Sequence, residues 1–161
     1  LEAERHFGHK RKLCTAAEMD TLIAFGAASL GLHADDIAGW ALTALNCPWL
    51  SDQQKAVVSE RDWFWDTVHV LGRPRRCLIV NHHYAHAASF FVSGFDRAVV
   101  QTCDGGGDFG ECVGAFVGDG LSLERVSHSI DAANGLPYHV IAGHFYRERF
   151  CEGKLMALAA Y

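Results

Sequence analysis

Two short glycine-rich joints, Asp104-Gly105-Gly106-Gly107 and Gly118-Asp119-Gly120, divide the second half of the chain into three apolar, strand-like runs. The runs are Ala98 to Cys103, Cys112 to Val117 and Leu121 to Ser127. Parallel neighbours need a crossover of about a dozen residues or more, so joints this short call for antiparallel hairpins. A three-stranded meander is therefore expected here.

The chain ahead of the meander reads differently. Thr15-Ala16-Ala17-Glu18 is a capping box, with Leu22, Phe25 and Leu30 following it and Gly31 placed to end the helix. After the Asp35-Asp36 turn, Ile37 to Leu45 reads as a strand buried on both faces. Ser51-Asp52-Gln53-Gln54 is a second capping box and predicts a helix running towards Val70, with Trp63, Phe64 and Trp65 as core and packing residues. Gly72-Arg73-Pro74 breaks that helix, Cys77 to Val80 is a short strand, and His82 to Val92 returns to helical spacing. This alternation implies parallel strands. Beyond the meander, Asn134 to Phe150 reads as a helix, with Pro137 tolerated near its start, and Gly153 to Tyr161 begins another.

A meander followed by alternating helices and strands is the repeating unit of the actin-like ATPase (ribonuclease H-like) fold. On that reading this α/β chain is a two-lobed fold, incomplete at both ends. Residues 1–92 are the end of the first lobe and 93–161 the beginning of the second, with a nucleotide cleft between them.

Composition narrows the function. The chain has 161 residues, 50% apolar and 20% charged, which is ordinary for a globular protein. Its net charge of −5 argues against a nucleic-acid partner, and Lys10-Arg11-Lys12 is too short a cluster to track phosphates. No run approaches the roughly 18–20 apolar residues of a membrane span. The six cysteines form no C-x-x-C pair, and several sit in apolar runs, which suits reduced thiols in a cytoplasmic protein.

Three stretches carry candidate chemistry. In Asn81-His82-His83-Tyr84-Ala85-His86, residues four apart share a helix face, so His82 and His86 can offer two imidazoles to one metal such as Fe, Zn, Ni or Cu. His83 points elsewhere, as a substrate or phosphate contact or as a general base. The same letters would also suit polar residues on an exposed helix start; placement directly after a buried strand favours the metal. Asp104 can supply an oxygen ligand, and Gly105, Gly106 and Gly107 can let a phosphate approach the backbone, although Asp-Gly is also a plain hairpin signal. Lys154, beside Gly153 at a helix start, can meet phosphate or stand in solvent.

Together these stretches resemble the carbamoyltransferase family that includes nodulation protein U and the enzymes carbamoylating cephamycin and aminoglycoside antibiotics. The family's two histidines, two spacers, His and Ala are matched by His82 to Ala87. Its Asp-Gly-x-Gly-Asp/Glu is matched by Asp104 to Asp108, and its Glu-Gly-Lys-x-Met by Glu152 to Met156. Glu2 to Phe7 resembles its acidic-Arg-Phe segment. The resemblance implies that His82, His86 and Asp104 ligate iron or another divalent metal, and that Gly105 to Gly107 lie against nucleotide phosphates. It implies ATP and carbamoyl adenylate as cofactor and intermediate, a YrdC-like domain that makes the adenylate, and a small-molecule hydroxyl as acceptor. His83 is the candidate base for the hydroxyl proton. Hydrogenase-maturation and tRNA threonylcarbamoyl transferases, a sugar kinase and a non-catalytic nucleotide- or metal-binding module stand as alternatives.

Overall fold

A computed structural model describes residues 13–131, 136–147 and 152–158. Glu2 to Phe7, Lys10 to Lys12, Asn134, Phe150, Cys151, Ala160 and Tyr161 lie outside the described residues. The chain is mixed α/β and forms two compact units, Leu1–Val80 and Asn81–Tyr161. The helical segment from His82 to Val92, read from sequence with the first 92 residues, thus begins the second unit.

In the first unit, α1 (Ala16–Ser29) starts at the expected capping box: Thr15 accepts from the Glu18 amide, and the Glu18 carboxylate accepts from Thr15. Leu22 is buried, while Phe25 and Leu30 are exposed. Asp20 ties α1 to the rest of the unit, since its Oδ1 accepts from Trp49 Nε1 and from the Leu71 amide, both at 2.9 Å. The strand β1 (Trp40–Thr43) is shorter than expected and buried on one face only, with Leu42 inward and Ala41 and Thr43 exposed. A three-stranded sheet with a single covered face needs alternation rather than an apolar run.

The second capping box forms as predicted, but α2 (Asp52–Val57) ends well short of Val70. Residues Trp63–Val70 are instead a strand, β2, paired antiparallel with β3 (Arg73–Val80). Aromatic and β-branched residues alternating at period two explain the difference: Val68 and Val70 are buried while Thr67 and His69 are exposed. Trp63 and Trp65, expected in the core, stand about half exposed on that outer face. The Leu71-Gly72 pair (φ 55° and 70°) is the two-residue turn between them, rather than the end of a helix. β1 does run parallel to β3, giving the order β1-β3-β2, with Leu42, Val68, Val70, Cys77 and Ile79 in the core.

The second unit opens with α3 (His82–Ala87), which continues as a tight 3₁₀ turn over Ala88–Val92. The expected meander follows. β4 (Arg97–Cys103), β5 (Val113–Asp119) and β6 (Ser122–Ser129) form an antiparallel sheet in chain order. The β5–β6 joint is a two-residue turn, but the β4–β5 joint is a longer loop containing a 3₁₀ turn at Asp108–Gly110. Ala87, Phe90, Phe116 and Leu123 make the core between α3 and the sheet, and Tyr84 meets Phe116 edge-on at 5.9 Å. A Cβ at Gly118 would lie 2.6 Å from the Phe90 ring, so this strand position admits the ring only because it has no side chain. Of two further helices, α4 (Leu136–Tyr146) lies within the stretch expected to be helical, and α5 (Glu152–Leu158) begins one residue ahead of the expected Gly153. Among the described residues, no helix is long and apolar enough to cross a membrane, and Cys14, Cys47, Cys77, Cys103 and Cys112 are free.

Candidate metal centre

The site is built at the start of α3. Asn81 caps the helix, its Oδ1 accepting from the Tyr84 amide at 3.1 Å. The helical repeat then places His82 and His86 on one open face, while His83 and Ala87 turn inward and are fully buried. Asp104 arrives from the end of β4, and its backbone amide is held by the Cys112 carbonyl at 2.9 Å.

His82 Nε2 lies 2.8 Å from Asp104 Oδ2 and 3.2 Å from His86 Nε2, and His86 Nε2 is 3.6 Å from the same Asp104 oxygen. Donors held about 2.0–2.2 Å from a common ion, at angles between roughly 90° and 120°, stand about 2.8–3.6 Å apart. The three separations therefore fit one shared ion. The donor set agrees: a single imidazole nitrogen, with one lone pair or one proton, faces both a carboxylate and a second imidazole nitrogen. Two imidazoles and a carboxylate are a donor set that divalent transition metals accept. His82 is mostly covered, and His86 and Asp104 are roughly half open to solvent.

Partial burial opposes ionisation of Asp104, but the His82 hydrogen bond, the Gly105 amide and the His82 and His86 charges outweigh it. The carboxyl is held below the usual carboxylate range, so it is ionised and ready to ligate at neutral pH. Oδ1 accepts from the Gly105 amide at 2.6 Å, which leaves Oδ2 for the two imidazoles.

His83 has a different environment from the one expected. Its Nε2 lies 2.9 Å from the Glu111 carbonyl and therefore carries the proton, and its Nδ1 lies 2.8 Å from the Thr102 hydroxyl. Fully enclosed, with both nitrogens facing protein partners, the ring is not open to a substrate hydroxyl. His83 supports the centre from beneath.

The glycines also divide. The Gly105 amide serves Asp104, and the Gly107 amide is given to the Glu111 carbonyl. Gly107 is buried, and a Cβ there would lie 2.8 Å from His83 Cδ2 and 3.1 Å from His82 Cδ2. Gly105 is exposed and Gly106 partly so. Lys154, on α5, stands over the Tyr146 ring at 5.4 Å. The residues that the structure brings together are thus His82, His86 and Asp104.

Sequence reading missed the polar residues around them. Asp108, 7% exposed, accepts the His82 backbone amide at 2.6 Å. Glu111, 5% exposed, takes Asn81 Nδ2 at 3.3 Å and Arg125 Nη1 at 2.6 Å. Asp108 closes the Asp-Gly-Gly-Gly-Asp motif, and that was its only sequence signal; Glu111 had none.

No family model and no solved structure matches the chain. Among curated proteins, nodulation protein NolNO of Sinorhizobium fredii is 36% identical over 90 residues, 55% of this chain and 13% of that protein. Nodulation protein NolO of Bradyrhizobium diazoefficiens is 37% identical over 91 residues, 51% of this chain and 15% of that protein. The chain is thus similar to nodulation proteins over about half its length, and the match spans a small part of either relative.

Proposed function

We propose that this chain is the metal-bearing part of a carbamoyltransferase that moves a carbamoyl group from carbamoyl adenylate to a hydroxyl of a small-molecule acceptor. The observation that carries the reading is the convergence of His82 Nε2, His86 Nε2 and an Asp104 oxygen within 4.8 Å of one another. These are the positions marked by the motifs that resemble that family. The likeness to NolNO and NolO supports the same reading, as does the meander followed by helices, which suits an actin-like transferase domain.

In this reaction the acceptor oxygen attacks the carbamoyl carbon, and the bond from that carbon to the adenylate phosphate oxygen breaks. AMP leaves with the electron pair, and the hydroxyl proton passes to solvent. A divalent ion, iron by the resemblance, would act as a Lewis acid towards the carbamoyl and adenylate oxygens. His82 and His86 would hold it through Nε2, and Asp104 through the carboxylate that Gly105 orients. Gly105 and Gly106, on the open side of the loop, are where nucleotide phosphates would approach, with Lys154 as the cation assigned to them. Carbamoyl phosphate and ATP would supply the adenylate through a YrdC-like domain.

The test supplies the protein and an adenylate-forming YrdC-like domain with ATP, radiolabelled carbamoyl phosphate and a panel of hydroxylated acceptors. Labelled carbamate that needs both ATP and His82/His86 is the expected result. Product formed without ATP, or undiminished in His82→Ala/His86→Ala, would overturn the proposal.

A further inference from the structure

A helix fixes the spacing of His82 and His86, but it does nothing for Asp104, which lies 22 residues from His82 in sequence. Beyond Asp104, whose amide still bonds the Cys112 carbonyl, residues 105–111 leave the sheet. Something must hold that loop against α3 if the third donor is to stay within 3.6 Å of His86.

Three consecutive residues at the helix start are bonded to two acids of this loop. The Asn81 amide side chain reaches Glu111, the His82 backbone amide reaches Asp108, and the His83 ring reaches the Glu111 carbonyl. Arg125 of β6 holds the other Glu111 oxygen. Both acids are almost wholly buried, and a buried carboxylate is costly unless hydrogen bonds compensate it. Neither contributes an atom to the convergent donor group, so neither is a further ligand there.

We propose that Asp108 is a positioning residue for the metal centre, acting with Glu111 as a latch that fixes the Asp104 loop onto the first turn of α3. The proposal rests on the metal reading of His82, His86 and Asp104. Its mechanism is geometric: the acceptor on Asp108 sets the backbone of one ligand, His82, relative to the loop that carries another. An amide oxygen in the same place serves as well as a carboxylate, whereas a methyl group does not.

Asp108→Asn and Asp108→Ala separate position from charge. In the purified chain, Co²⁺ is titrated as the probe and followed by its visible absorption bands, and the His82 amide signal is read by NMR. Asp108→Ala is expected to weaken Co²⁺ binding about 10- to 100-fold, the usual loss when a ligand's supporting partner is removed. It should also alter the absorption bands and move the His82 amide upfield. Asp108→Asn is expected to restore the bands, with affinity within about threefold of wild type. Wild-type affinity in the alanine variant, or equal loss in both variants, would overturn the latch. If the alanine variant does not fold, Asp108→Ser replaces it, because its hydroxyl stops short of the His82 amide; the same criteria apply. Failure of the wild-type chain to bind Co²⁺ would instead sink the metal reading. The latch is then decided by the His82 imidazole nitrogen shift in the metal-free protein, which must change in the alanine variant.

Discussion

Gly106 and Gly107 are neighbours, yet the structure assigns opposite signs to the same substitution at each. Gly107 has φ −113°, a conformation open to any residue, so Gly107→Ala introduces no backbone strain. The cost is steric: the new Cβ would lie 2.8 Å from His83 Cδ2, 3.0 Å from His83 Nε2 and 3.1 Å from His82 Cδ2. The His83 ring is enclosed and bonded at both nitrogens, so it cannot swing aside without losing the Glu111 or Thr102 contact. Overpacking costs about 1–3 kcal/mol, and a hydrogen bond given up adds about 0.5–1.5 kcal/mol. We expect roughly 2–4 kcal/mol of destabilisation for Gly107→Ala. At Gly106 a Cβ meets nothing within 4 Å, so Gly106→Ala is expected to be neutral or to stabilise by up to about 1 kcal/mol through the unfolded chain. The assay must observe the second unit. The four tryptophans, Trp40, Trp49, Trp63 and Trp65, all lie in the first, so their fluorescence does not report on it. Native-state hydrogen exchange at the β4 and β5 amides is the suitable measure, and Gly107→Ala should raise those rates roughly 30- to 700-fold. A change below about twofold would refute the packing argument, and so would equal effects at the two glycines.

Other perturbations probe separate parts of the structure. His82→Ala/His86→Ala should abolish tight divalent-metal uptake measured by elemental analysis after dialysis, while His83→Ala should mainly lower stability; unchanged metal content in the double variant would contradict the site. Arg75 hydrogen-bonds Asp35 at 2.8 Å and, despite an opposing desolvation effect, this bond and the Arg73, Arg75 and His33 charges depress the Asp35 carboxyl pKa. Because that pKa is lowered, the favourable interaction is present at neutral pH and is lost as pH falls through the depressed value. Arg75→Met should therefore raise the Asp35 pKa measured by carboxyl carbon NMR, and a pKa that stays put would exclude Arg75 as the main cause. Asp20→Ala removes the acceptor shared by Trp49 and Leu71. It should cost the first unit about 1–3 kcal/mol by tryptophan-detected urea unfolding.

What could be read of the fold from sequence was what is decided locally. The capping boxes at Thr15 and Ser51 each satisfy donors within one turn, and both form as read. The meander followed from the joints around it, because connection length limits strand pairing. The error at Trp63–Val70 arose where two periodicities compete. The capping box gives a helix start and the next breaker is Gly72-Arg73-Pro74, yet Phe64, Val68 and Val70 alternate with Trp65, Thr67 and His69 at the strand period. The deciding partner is β3, whose register lies outside the segment itself. The over-long reading of β1 had a similar cause: an apolar run does not reveal how many faces the rest of the chain will cover.

The site divides along the same line, and one misplacement there was avoidable. His82 and His86 were legible because a helix alone sets their spacing, whereas Asp104 needed the position of β4 and rested on a motif. Successive residues on a helix are separated by about 100°, so His83 cannot share the face of His82 and His86. It instead heads the series His83, Ala87, Phe90, at i, i+4 and i+7, the spacing of a core stripe. Their exposures are 0%, 0% and 3%, and Ala87 and Phe90 belong to the core cluster of the second unit. A histidine on such a stripe must find two internal partners, which Thr102 and the Glu111 carbonyl provide. The three-histidine run is therefore two candidate ligands and a buried strut, and the strut connects the helix bearing His82 and His86 to β4 and to the loop bearing Asp104.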